Sequence, residues 1–161
     1  MTLEDTERTL PNGFHDSKIE EIGMSYQAAR LTMRVSVLVG LPSDPRPDRD
    51  RYRSGILTFE GVRFFSIEPP QPESAFQHRG GLWFSYERTA PETSPAGLSA
   101  ALPVDTQCYS VFVRDWLSSI HIAAADVGFM WAEPEQTVEE SGSFRPLSDR
   151  GRLGVGALEV V

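Results

Sequence analysis

The chain has one cysteine, Cys108, so it can form no disulfide within itself. Cys108 lies in the apolar stretch Cys108-Tyr109-Ser110-Val111-Phe112-Val113, where a buried thiol is expected rather than a nucleophile. No apolar run approaches the roughly 20 residues that a membrane-crossing helix needs, so a membrane partner is not expected. The first ten residues hold three acids, Glu4, Asp5 and Glu7, and no apolar block. A secretory leader is therefore not expected, and the cytoplasm is the expected location. Positive charge is also short. Fifteen Lys and Arg against 23 Asp and Glu leave a net charge of -8 at pH 7. Phosphate backbones are repelled at long range by such a balance, which argues against a nucleic-acid partner and favours a basic protein partner. One local exception is the run holding Arg46, Arg49, Arg51 and Arg53. Those arginines alternate with Asp44, Asp48 and Asp50, so the local charge nearly cancels. Amphipathic helix signals are scarce too.

What is present is strand-like alternation and aromatic bulk. The 161 residues suit one domain, and a chain of this size buries roughly 70% of its unfolded surface without disulfide or metal. Nine Phe, three Trp and four Tyr supply large apolar groups. From Leu31 to Val39, the residues Leu31, Met33, Val35, Val37 and Val39 alternate with Thr32, Arg34, Ser36 and Leu38, the cleanest period-two pattern in the chain. Upstream, Ile22, Met24 and Tyr26 alternate but Ile19 is out of phase, which predicts a bulge near Glu20-Glu21. With Gln27–Arg30 as a short connection, the two runs predict an antiparallel hairpin. Pro42, Pro45 and Pro47 exclude a ladder strand or helix from Gly40 to Arg53.

Downstream, one strand is expected from Ser54 or Gly55 to Glu68, in the centre of a sheet, with a bulge or bend at Gly61. Another follows Gly80-Gly81, over Leu82–Tyr86. Strands are also expected over residues 108–116 and from Ile120 to Trp131, joined by a turn at Asp115–Ser119. Pro72–His78 is ambiguous, with room for one helical turn. Thr89–Thr106 reads as a long loop. Residues 1–10 read as frayed or as a short helical turn, and residues 141–161 as peripheral, with an edge strand an alternative at Leu153–Val161. The expected fold is mainly β, with β-rich α+β as the alternative. It is a single-domain antiparallel sheet with little helix, curled into a sandwich or half-barrel.

The segment Asn12-Gly13-Phe14-His15-Asp16 carries the most information about a site. It places a large aromatic and a His–Asp pair where a loop enters the first strand. The residues themselves suggest that Phe14 anchors the core while His15 and Asp16 satisfy backbone groups. A metal-assisted hydrolase would need His15 and Asp16 to meet His121, since His78 falls in a probable-loop composition and a lone His-Asp is a weak signal. No nucleophile elbow surrounds Ser110, Ser118 or Ser119, and Gly151–Gly156 lacks the strand-to-helix setting of a nucleotide loop. Trp83, Trp116 and Trp131 read as core or rim aromatics. No cofactor and no metal are expected.

Three stretches carry a resemblance. Leu10-Pro11-Asn12-Gly13-Phe14-His15-Asp16, then Gly61–Pro70, then Phe112–Trp116 leading to Ile120–Ala124 resemble a family of small uncharacterised bacterial proteins with a Phe-His-Asp-Ala segment before a first β-hairpin. The segment is similar to one in immunity proteins of polymorphic toxin systems. Ser17 stands where that family has Ala. The likeness spans roughly residues 10–131 and implies a β-rich single domain, but assigns no catalytic residue. The expected function is a non-enzymatic cytoplasmic protein-binding domain of immunity type. The alternatives are the hydrolase above and a small-ligand module lined by Phe64, Trp83 and Trp116. A second copy of the chain is left open as a partner.

Overall fold

Why the first hairpin forms is visible in its register. In the computed structural model, which describes residues 1–74, 80–89 and 102–132, β2 (Lys18–Ser25) pairs antiparallel with β3 (Arg30–Leu38). Ile19 faces Val35 and Glu21 faces Arg34, so Glu20 is the extra residue of a bulge. One inserted residue reverses the side-chain phase. Ile22 and Met24 thereby come to the same face as Ile19, opposite Met33 and Leu31. On β3, Leu31, Met33, Val35 and Val37 are fully buried, and the residues between them are partly exposed.

Before the hairpin come α1 (Leu3–Glu7) and β1 (Pro11–Phe14). Of the two readings of the N-terminal residues, the helical turn is the one observed. Thr2 accepts from the Asp5 amide and Asp5 accepts from the Thr2 amide, each at 3.0 Å, closing a capping box. The Thr2 amide first, and the Thr2 side chain second, hold the Asp5 carboxyl below its usual range. Leu3 and Thr6 are buried, so α1 is docked on the core rather than frayed.

After β3, the proline-rich segment makes one 3-10 turn, Asp48–Asp50, and the ladder resumes at Tyr52, so Tyr52 and Arg53 pair with Leu38 and Val37 although strand was excluded as far as Arg53. The remaining strands are β4 (Tyr52–Glu60), β5 (Phe64–Ile67), β6 (Leu82–Thr89), β7 (Gln107–Val113), β8 (Ser118–Ala124) and β9 (Asp126–Trp131). Two of the expected long strands are each two strands. The expected Ser54–Glu68 strand breaks at Gly61, whose positive φ of 60° turns the chain from β4 into β5. The expected Ile120–Trp131 strand breaks at Ala125 between β8 and β9. Consequently Phe64, Phe65 and Ile67 do not lie in the centre of the sheet: β5 pairs with β8 alone, and Ile67 is exposed.

Strands β2 to β9 form one antiparallel sheet in the order β5-β8-β7-β6-β2-β3-β4-β9. The chain is mainly β with little helix among the described residues. The ends of the order, β5 and β9, do not pair with each other, so the sheet is not closed through them. Its two halves meet at β2 and β6, where only Lys18 with Trp83 and Ile19 with Leu82 are paired. Inward residues of both halves, among them Val35, Phe59, Val111 and Ile122, belong to one apolar cluster. Cys108 is buried, as its apolar neighbours predict. No helix among the described residues is long and apolar enough to cross a membrane. His78 lies outside the described residues, as do most of the Thr89–Thr106 loop and everything expected beyond Ala132.

Candidate functional site

Three successive tight turns carry the chain through β1 into β2. The Gly13 amide donates to the Leu10 carbonyl, His15 to Asn12 and Ser17 to Phe14, at 3.1–3.3 Å. Gly13 and Asp16 both take positive φ, 58° and 53°. Glycine adopts that region freely and aspartate better than most other residues. Asn12 fixes the turn to the sheet: its Nδ2 donates to the carbonyls of Leu38 and Gly40 at 3.0 and 2.9 Å.

This backbone drives Phe14 inward and leaves its two neighbours outside. Phe14 is 3% exposed, with ring centroids 5.7 Å from Phe84, 6.1 Å from Tyr86 and 6.3 Å from Phe129. His15 points out, its side chain 78% exposed, and its Nδ1 lies 3.0 Å from Asp16 Oδ2. The other Asp16 oxygen is 3.4 Å from Arg114 Nη2. Asp16 therefore meets side chains, and the expectation that the His15–Asp16 pair satisfies backbone groups is corrected. Carboxylates that do so are Glu7, whose Oε1 accepts from the Phe14 amide at 3.4 Å, and Asp115, whose Oδ2 accepts from the Trp83 amide at 2.7 Å. Partly exposed ion pairs such as Asp16–Arg114 contribute about 0–1 kcal/mol. Asp16→Asn keeps a side chain tolerant of positive φ and should melt within about 0.5 kcal/mol of wild type. Asp16→Ala should cost about 1–2 kcal/mol through the left-handed backbone. Equal losses in the two variants, measured by denaturant titration, would show that the charge rather than the backbone conformation decides stability here.

Beside the turn lies a cleft of about 620 Å³. The α1 helix supplies Glu4 and Glu7, β6 supplies Phe84, Ser85 and Tyr86, and Phe14, His15, Asp16 and Arg114 complete its border. Glu7 ties the three walls together. Its Oε2 accepts from the Tyr86 hydroxyl at 2.6 Å and its Oε1 from the Phe14 amide at 3.4 Å. Burial, reinforced by that bond and by the charge of Glu7, pushes the Tyr86 phenol well above its usual range, so it remains a hydrogen-bond donor at neutral pH. No Lys or Arg among the described residues is paired with Glu4 or Glu7.

Cations gather around Trp83, where Arg114 borders the cleft. Lys18 Nζ sits 4.4 Å from the Trp83 ring centroid and 5.4 Å from that of Tyr52, and the Arg114 guanidinium lies 5.5 Å from the Trp83 centroid. Burial, with Asp16 and Asp50 nearby, raises the Tyr52 phenol. Asp16 and Arg114 thus border both the cleft that holds Glu4 and Glu7 and the recess at Trp83.

The other candidate residues lie elsewhere. His121 is on β8, where Nε2 is 3.0 Å from Glu68 Oε1. Among the described residues no three His, Cys, Asp or Glu side chains gather as a metal site needs, so His15, Asp16 and His121 do not converge. Trp116, in the β7–β8 turn, is 4% exposed and belongs to the core cluster, bordering a groove with Ile19 and Leu82. Trp83 faces a different recess, with Asp16 and Arg114. The expected shared lining by Phe64, Trp83 and Trp116 is therefore not formed by these two recesses.

Glu68 closes the end of β5 onto β8. Besides His121 it holds the Ser119 amide, which donates to its Oε2 at 2.8 Å. The His121 contact first, and the Ser119 amide second, lower the Glu68 carboxyl from its ordinary value of 4.5. A lowered folded value means that the stabilisation is fully present above the unfolded value and is lost as pH falls through the folded one. The melting difference between wild type and Glu68→Gln should therefore be largest near neutral pH and shrink below the ordinary carboxylate range. A difference independent of pH across that range would refute the assignment.

Sequence reasoning missed Glu4, Glu7, Tyr86, Arg114 and Asp115 as members of this site. The Glu4–Glu7 spacing of a helical turn was the one local signal. No family model, curated protein or solved structure matches the chain.

Proposed function

We propose that this chain is a non-enzymatic, cytoplasmic protein-binding domain, of the immunity type, whose cleft beside the His15–Asp16 turn receives a basic side chain of a partner protein. One observation carries the reading. Glu4 and Glu7 border a cleft of about 620 Å³ and pair with no Lys or Arg among the described residues. In a chain of net charge -8, such a border attracts a cationic partner at long range and orients it on arrival. The likeness of the Phe14-His15-Asp16 segment to immunity proteins supports the same reading. Affinity capture from the source organism tests it. Wild type should retain a basic protein, and Glu4→Gln with Asp16→Asn should lose most of it while melting close to wild type. Equal capture by both forms, or no capture by either, would overturn it.

A small-ligand module is the second reading, favoured by the size of the cleft, which falls in the range of small-molecule pockets. A thermal-shift screen against metabolites in which one compound raises wild type but not the double variant would favour it over the first.

We also infer that the sheet curls so that its two halves pack face to face, in the manner of a half-barrel or sandwich. Phe59 on β4 and Tyr109 on β7 stand four places apart in the strand order, about 19 Å in a flat sheet at 4.8 Å per strand. Their ring centroids are 5.9 Å apart. The Ala125 amide donates to Glu60 and the Arg63 amide to Ala123, at 3.0 and 2.8 Å, carrying the pairing across both bends. Ring-to-ring NMR cross-peaks between Phe59 and Tyr109 are expected; their absence would contradict the curl.

A further inference from the structure

We draw no further inference here: the strongest candidate, the apolar groove bordered by Ile19, Ile22, Ile67, Leu82 and Trp116 beside the bulge of β2, carries nothing because nothing in the structure shows what covers it.

Discussion

Replacing Phe14 by alanine will lower the unfolding free energy by about 3–5 kcal/mol, the range for truncating a buried phenylalanine. Its ring is 3% exposed and stands within 5.7–6.3 Å of three other aromatic centroids. Those neighbours come from β6 and β9, near and far from the turn in the strand order. Truncation therefore removes transfer energy and leaves a cavity that rigid strands close poorly. Aromatic pair terms of about 0.5–1.5 kcal/mol are lost as well. Phe14→Leu should recover more than half of the loss by refilling the volume. Urea titration at constant slope is the measurement. A loss under about 1 kcal/mol would show that the ring does not hold the core together, and that the loop is positioned by its polar contacts through Asn12, Glu7 and Asp16.

Gly13→Ala is expected to cost about 2–3 kcal/mol. A left-handed backbone costs an ordinary L-residue about 1–2 kcal/mol. At Gly13 a Cβ would also stand 2.8 Å from Glu7 Cγ and Oε1. The Glu7 side chain must then withdraw, and its bond to Tyr86 is lost at about 1 kcal/mol. The two contributions leave separate signatures. Loss of the Glu7 contact should bring the Tyr86 phenol back toward its ordinary value, read by ultraviolet absorbance during alkaline titration. Destabilisation without any change in that titration would mean that the backbone term acts alone. Glu7→Gln should change the titration with a smaller stability loss, because glycine keeps its conformation.

The register of the first hairpin was legible because the bulge leaves a local trace: Ile19 out of phase with Ile22 and Met24. The proline run from Pro42 to Pro47 was legible for the same kind of reason, since three prolines in six residues leave three amides missing from any ladder. The breaks at Gly61 and Ala125 were harder. Val62 to Ile67 is apolar on both faces, and an apolar run reads the same in a central strand as in a strand that has turned onto the far end of a sheet. A glycine signals that a bend is permitted, not how large it is. At the site, local sequence placed Phe14 correctly inside and drew attention to His15 and Asp16. It misassigned the backbone role, which belongs to Glu7 on the Phe14 amide and to Asp115 on the Trp83 amide, the latter 99 positions after Asp16 in sequence. Arg114, Tyr86 and Glu7 come to the turn through strand pairing and helix docking, and no short motif encodes contacts at that separation.

The central claim is that the carboxylate-bordered cleft is the docking place of a basic partner. Amide chemical-shift mapping of the isotope-labelled protein, titrated with the protein recovered by capture, tests it most directly. The account predicts the largest shifts at Glu4, Glu7, Phe14, His15, Asp16, Ser85, Tyr86 and Arg114, weakening as salt is raised. Shifts confined to β5 and β9, with the cleft residues unmoved and no dependence on salt, would contradict it.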